Sequence, residues 1–240
     1  MGRAAGRHVV IAIDGPAASG KSSTAQWVAQ RLGYRHVDSG SLYRAATAAQ
    51  LRCPIPPSAW TGQSVLDAAR SVTLEPAATS FVPLITGRPA DDEIRGADVT
   101  RHVSHVARMP TVRAWVNAQV RRAAEAYDVV VDGRDIGTVV FPDADLKVFL
   151  VADPWERARR RLVQLLQRRP TDEEIAEETG RIVQRDARDA TQTVQATDAV
   201  LIDTTYLTQE EQVERIVALA RAVTHRETAT SLLDDSDQSE

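Results

Sequence analysis

Residues 14–22 read Asp14-Gly15-Pro16-Ala17-Ala18-Ser19-Gly20-Lys21-Ser22, a Gly-x-x-x-x-Gly-Lys-Ser spacing directly after the apolar run Val9-Val10-Ile11-Ala12-Ile13. The expected order is strand, glycine loop and a helix starting near Lys21, and that context separates the pattern from a chance match. Backbone N–H groups turned inward by such a loop, ending on a helix N-terminus, form a cradle for dense negative charge. Gly15 and Gly20 supply turn geometry and close approach. Lys21 is placed to reach the β- and γ-phosphates of a polyphosphate, and the Ser22 hydroxyl to take a position on Mg²⁺. The chain has two lysines, Lys21 and Lys147, among 29 Lys and Arg residues. A lysine here is hard to assign to surface solvation. The competing reading is an ordinary glycine-rich strand–helix turn.

Further polar clusters follow apolar runs: Asp38-Ser39-Gly40, Asp132-Gly133-Arg134-Asp135 and Asp203. Arg44 comes after Ser39 and Tyr43 on a loop-to-helix start, where a hydroxyl and a guanidinium can hold a second phosphate. Tyr43 can equally serve helix packing. Asp132 ends a buried-type strand, the place of an acid that orients Mg²⁺ and its waters; a helix cap or a salt bridge to Arg134 is the alternative. Arg157, Arg159, Arg160 and Arg161 lie close together, followed by Arg168, Arg169, Arg185 and Arg188. Arginine suits phosphate because its planar fork binds two oxygens and keeps its charge. The alternative is a solvated basic helix face paired with Glu156. The five histidines show no metal spacing, and Cys53 reads as inert.

The elements that must position these groups alternate. Apolar runs at 8–13, 34–37, 128–132, 146–151 and 199–202 are separated by helical patterns, which implies a doubly wound parallel α/β sheet. Ligands then sit at the carboxyl ends of the strands, where the clusters fall. Residues 60–96 break the rhythm, with short β-like pieces at 72–74 and 81–85. Pro154 opens an arginine-laden helix to about Arg169. Thr171 and Glu174 form a capping-box pattern for the next, and residues 209–223 form the last helix. Residues 1–7 and the acidic stretch 226–240 read as disordered.

Hydrophobic content of 43% and a formal net charge of −4 fit a globular protein without a global bias toward nucleic acid. No apolar run approaches the roughly 20 residues of a membrane helix, and no secretory signal is evident. A cytoplasmic, monomeric protein without a nucleic-acid or membrane partner is expected.

The run Ile13 through Lys21, the segment Asp38-Ser39-Gly40-Ser41-Leu42-Tyr43-Arg44 and the block from Asp132 to Ala144 together resemble the bacterial cytidylate kinase family. Ile94-Arg95, Ser104, Val106, Ala107, Pro110, Val112 and Arg113 are similar to it as well, as are Arg157-Ala158 and Arg160-Arg161. The likeness covers roughly His8 to Ala222. The resemblance implies a P-loop nucleoside-monophosphate kinase fold: a five-stranded parallel sheet, a β-containing insertion at about 60–109 that binds the monophosphate, and a helical lid at about 154–190. It implies transfer of the ATP γ-phosphoryl to CMP or dCMP with Mg²⁺.

By the same resemblance Gly15, Pro16, Ala17, Ala18, Ser19, Gly20, Lys21, Ser22 and Ser23 bind ATP. Ser39, Tyr43, Arg44 and Arg134 hold the CMP phosphate. Ser104, Arg113 and Asp135 read cytosine, and Arg185 and Asp189 touch the sugar. Lys21, Arg160 and Arg161 act on the transferring phosphates, while Ser22 and Asp132 serve the metal, Asp132 through water. One position departs from the family pattern: Gln192 stands where an arginine is expected, with Arg188 one turn earlier as a candidate replacement. Rival readings are a kinase for another monophosphate or for a sugar-like acid such as shikimate, and a nucleotide-dependent switch. The chain has no Asn-Lys pair, which a GTPase switch of the Asn-Lys-x-Asp type would show.

Overall fold

The computed structural model describes the backbone of residues 7–236 and the side chains of residues 7–224. Its centre is β1 (Val10–Asp14), every residue of which is buried. A strand covered on both faces reads as a continuous apolar run, which explains residues 9–13. The glycine loop leads into α1 (Lys21–Leu32), which packs Thr24, Ala25, Val28 and Ala29 inward. Gly33, at φ 73°, ends it by donating to Ala29 O and Gln30 O. Then come β2 (Arg35–Asp38) and α2 (Ser39–Leu51). Asp38 caps α2 by accepting from Ser41 N at 3.0 Å, so this helix starts two residues earlier than the sequence suggests.

The stretch from Trp60 is richer than its β-like pieces imply. It holds α3 (Gly62–Ala69), closed by a capping box between Thr61 and Ser64. A three-stranded antiparallel sheet follows, built of β3 (Val72–Pro76), β4 (Phe81–Ile85) and β5 (Arg88–Pro89). Next are α4 (Asp91–Arg95), α5 (Ala97–Val106) and α6 (Pro110–Ala124), the last with proline in its first turn. The α3 helix escaped the sequence reading because eight residues with two apolar anchors, Val65 and Ala69, carry little periodicity.

The chain then returns to the main sheet with β6 (Val129–Asp132) and, after a π-helical turn at Ile136–Val140, β7 (Leu146–Val151). The helices α7 (Pro154–Leu166) and α8 (Asp172–Asp189) come next, then β8 (Val200–Asp203) and α9 (Gln209–Ser236). The Thr171–Glu174 capping box forms as read. Gln167, at φ 52°, stops α7 three residues before the expected end. The last helix runs beyond Val223, with no glycine or proline in 224–236 to interrupt it. Residues 226–236, expected to be disordered, belong to α9, and residues 1–6 and 237–240, at the outer parts of the expected disordered ends, lie outside the described residues.

The main sheet is five-stranded in the order β2-β6-β1-β7-β8, and all its pairings are parallel. This is the doubly wound architecture expected. Asp14, Asp38, Asp132 and Asp203 end four of its strands, so the register puts four carboxylates on one edge. Two apolar cores cover the faces. One joins Val37, Leu42 and Val131 to Val65 of α3, Ile85 of β4 and Val116 of α6. The other joins Ile11, Ile13 and Leu150 to α1 and to Val213 and Ile216 of α9.

Candidate active site

The glycine loop follows from close approach. A Cβ on Gly15, at φ 149°, would run into the carbonyl oxygen of Leu150 on the neighbouring strand. Gly20, at φ 88°, caps α1 in a left-handed conformation. Even Ala18 holds φ 57°, a strained value for a residue with a Cβ and typical of ligand clamps. Lys21 folds back over the loop, its Nζ donating to Pro16 O at 2.6 Å and Ser19 Oγ at 3.4 Å. Burial first, then the Arg134 charge, drives its pKa well below the usual lysine value.

Two further bonds hold the loop from outside. Arg157 is buried and donates to Ala17 O at 2.8 Å, while pairing with Asp186 at 2.7 Å. Asp186 in turn accepts from Ala17 N at 3.2 Å. Arg157 therefore holds the shape of the loop, its guanidinium taken up by Ala17 O and Asp186. Asp14 accepts from the N–H groups of Ile136 and Gly137 at 2.9 and 2.8 Å, fastening the loop to the π-helical turn. Burial raises its pKa to about 6, against the pull of those two bonds.

A cavity of about 1390 Å³ opens over the carboxyl edge of the sheet. Every site residue named from the sequence lines it, apart from Gly15 and Pro16. At its floor Ser22 Oγ donates to Asp132 Oδ2 at 2.6 Å, and His36 Nε2 bonds Asp132 Oδ1 at 2.6 Å. An ionised carboxylate only accepts, so Nε2 carries the proton. Burial opposes charge on both groups, but their mutual bond and Ser22 outweigh it: the Asp132 pKa is lowered and that of His36 raised. Neither a helix cap nor Arg134 is the partner of Asp132. His36 was given no part in the sequence reading, since its contact depends on the pairing of β2 with β6.

On one side of the floor Ser39 Oγ donates to Asp132 O at 2.7 Å. Arg44 donates to Ile94 O and Thr100 Oγ1, both at 3.1 Å. Burial, followed by Arg185, lowers the Arg44 pKa to about 10. Burial lifts Tyr43 to about 12. Arg134 reaches Gly15 O at 3.3 Å and lies 3.9 Å from Asp189, which is 3.6 Å from Arg185. Burial, then Arg134, pushes Arg185 below its ordinary value. Deeper in, Arg113 pairs with Asp135 and donates to Gln192 Oε1 at 3.2 Å. Burial raises Asp135 even against that pairing. Ser104 lines the wall nearby.

On the opposite side Arg160 is engaged by the loop after β8, donating to Thr204 O at 2.5 Å and Thr205 O at 2.9 Å. Arg161 pairs with Glu178 at 2.9 Å, and Arg159 with Glu156 at 2.9 Å. All three line the cavity. Arg168 pairs with half-buried Glu174, and Arg188 is exposed and donates to Gln184 O within its own helix. Arg188, the candidate replacement for the missing arginine, thus bonds within α8, while Gln192 itself accepts from Arg113. The residues that the sequence reading left out include Arg95 and Asn117, which also line the cavity. Their signal is absent from spacing because they come from separate helices, Arg95 from α4 and Asn117 from α6.

A family model described as cytidylate kinase matches residues 11–222. The chain belongs to the cytidylate kinase family. It is 44% identical over 218 residues to a cytidylate kinase of Geobacillus kaustophilus, covering 89% of this chain and 96% of that one. It is 41% identical over 224 residues to one from Chloroherpeton thalassium, covering 90% and 95%. With a cytidylate kinase of Lactiplantibacillus plantarum the figures are 39% over 228 residues, 92% and 96%. The cytidylate kinase resemblance seen in Ile13–Lys21 and Asp132–Ala144 thus extends over nearly the whole folded chain. Among the described residues no helix is long and apolar enough to cross a membrane.

Proposed function

We infer that the protein transfers the γ-phosphoryl group of ATP to CMP or dCMP, giving ADP and the pyrimidine diphosphate. One observation carries this beyond family membership. Lys21, Arg44, Arg134, Arg160, Arg161 and Arg185 line a single cavity, and burial works against the charge of Lys21, Arg44, Arg160 and Arg185 there. Repulsion from neighbouring guanidiniums adds to it for Lys21, Arg44 and Arg185 in particular. Cations gathered at this cost favour a ligand of high negative charge, and two phosphorylated nucleotides supply it.

The cavity divides by chemistry. The loop Gly15–Ser23 takes the ATP phosphates on backbone N–H groups, with Lys21 turned toward the β- and γ-phosphates. Ser39, Tyr43, Arg44 and Arg134 hold the acceptor phosphate. Asp135, oriented by Arg113, accepts from the cytosine amino group, and Arg113 and Ser104 donate to its O2 and N3 edge. Arg185 and Asp189 meet the sugar. An oxygen of the CMP phosphate attacks the γ-phosphorus, and the bond to the ADP oxygen breaks. Lys21, Arg160 and Arg161 balance the charge on the moving group; Arg160 and Arg161 reach it by leaving Thr204–Thr205 and by extending from Glu178. The helical pair α7–α8 serves as the lid and the segment 60–109 as the monophosphate-binding insertion, excluding water that would otherwise hydrolyse ATP.

Mg²⁺ suits the oxygen donors at the floor. Ser22 and Asp132 lie within 2.6 Å of each other, and among the described residues no group of three or more His, Cys, Asp or Glu side chains could hold a metal alone. A hard ion that keeps waters and takes its remaining ligands from phosphates matches such a sparse set. When bound with ATP it neutralises phosphate charge.

A coupled ADP-release assay across CMP, dCMP, UMP, AMP and shikimate, with a no-acceptor control, tests the assignment. Turnover with CMP and dCMP well above the other acceptors is expected. Equal ADP release without acceptor, or preference for shikimate, would overturn it.

A further inference from the structure

His36 carries two bonds that point in different directions. Its ring holds Asp132 Oδ1 at 2.6 Å in a buried setting. Its backbone N–H donates to Thr79 O at 3.0 Å, and residue 36 forms an isolated parallel bridge with Ser80. Residues 77–80 are the turn between β3 and β4. They cover the open edge of β2, with Arg35 Nε adding a bond to Ala77 O at 2.9 Å. Ser80 at the end of the turn and Phe81, Val82 and Pro83 of β4 form a wall of the cavity. One residue therefore spans the space between the insertion and the acid at the floor.

We propose that His36 is a positioning residue that ties the Asp132 carboxylate to the β3–β4 turn, so that metal affinity and acceptor binding are linked. This rests on the reading of Asp132 as the metal-facing acid. The two carboxylate oxygens are divided: Oδ1 takes the imidazole N–H, and Oδ2 takes the Ser22 hydroxyl. A carboxylate torsion is broad and loosely defined by itself. The His36 bond removes that freedom and leaves Oδ2 facing Ser22. Partners of this kind, one step removed from the ion, change metal affinity by about 10–100-fold when lost. The same residue is held at its main chain by the wall that the acceptor touches. A ligand that settles the wall fixes residue 36 and hence the carboxylate, and linkage makes the effect reciprocal.

The sequence context separates this from a generic buried histidine. His36 and Asp38 lie on one face of β2 by their two-residue spacing, and Asp38 pairs in register with Asp132. The ring thus reaches along the strand to the next pair, beside the floor of the site. A histidine that served packing alone would not need its N–H on this acid.

The probe is Mn²⁺, followed as free ion by electron paramagnetic resonance, with the full chain and ADP, in the absence and presence of CMP. CMP is expected to tighten Mn²⁺ binding several-fold in the wild type. His36→Leu should weaken Mn²⁺ binding about tenfold or more and abolish the CMP effect, since the main-chain bond to Thr79 survives but the ring bond is gone. His36→Gln, whose amide N–H can take the place of Nε2–H, should restore most of both. If His36→Leu does not fold, His36→Asn replaces it, because its amide stops short of Asp132. Asp132→Asn runs in parallel. Weakened binding in Asp132→Asn with wild-type behaviour in His36→Leu overturns the role of His36 alone. Unchanged binding in both overturns the metal reading of Asp132 as well.

Discussion

Ser22 Oγ donates to Asp132 Oδ2 at 2.6 Å across 110 positions of sequence, joining the second residue of α1 to the last residue of β6. The hydroxyl and the carboxylate converge because β6 pairs directly with β1. Ser22→Ala should raise the Mg²⁺ concentration needed for half-maximal turnover by about tenfold and leave the KM for CMP near its original value. A Mg²⁺ titration at saturating CMP checks this; an unmoved midpoint removes Ser22 from the metal site.

Lys21 is pressed below its normal pKa in a buried cradle, and bound phosphate supplies the charge it lacks. Lys21→Ala should lower kcat by about 10²–10³, the usual effect of deleting one preorganised electrostatic donor. Steady-state kinetics with both nucleotides at saturation measure it. Normal turnover would remove Lys21 from the mechanism.

Asp135 is held by Arg113 and raised by burial, so it is set where hydrogen-bond pairing with a base edge can discriminate. A site built to bond a substrate amine rejects analogues strongly, because its buried polar groups are left without partners. Asp135→Ala should reduce the preference for CMP over UMP and AMP, in kcat/KM, by about 10–100-fold, while the KM for ATP changes less than about twofold. An unchanged preference for CMP would count against the base-reading role.

The sheet and the glycine loop were legible because they depend on local signals. The short apolar run of residues 9–13, closed by Gly15, reads as a strand covered on both faces, and Gly15 and Gly20 occupy positions where a side chain is excluded or strained. The acids at strand ends were legible for the same reason, since they follow runs that end together. What sequence left hidden depends on register and on facing helices. His36 meets Asp132 only once β2 is paired with β6. Arg157, Arg160 and Arg161 look alike in a row, yet the fold sends one to the loop backbone, one to Thr204–Thr205 and one to Glu178. Arginine spacing on one helix does not reveal which acids of the next helix will meet it.

Gln192 accepts from Arg113 at 3.2 Å, whereas Arg188 is exposed and bonded within α8. Arg188→Ala should therefore leave kcat and both KM values within about twofold, as an exposed charge contributes little. Gln192→Ala removes a bond that holds Arg113, the arginine proposed to read the base, and should raise the KM for CMP several-fold. Parallel kinetics on the two variants decide it, and a large loss in Arg188→Ala would show that this arginine moves into the site during turnover.

Asp14 gives a pH signature in stability. Its folded pKa is about 6 against 3.8 for the ordinary group. Between those values the folded chain holds a proton that the unfolded chain releases. The favourable contribution is complete below about pH 3.8 and is lost as pH rises through about 6, amounting to about 3 kcal/mol. Asp14→Asn removes the titration. It also forfeits one of the two bonds to Ile136 and Gly137, since an amide has one carbonyl oxygen, and this loss is the same at every pH. Urea unfolding at intervals from pH 4 to pH 7 should therefore show wild-type stability falling relative to the variant across this window, with the difference levelling off above about pH 7. A difference that stays flat from pH 4 to pH 7 would mean that Asp14 is ionised throughout, held so by the two N–H groups that it accepts from.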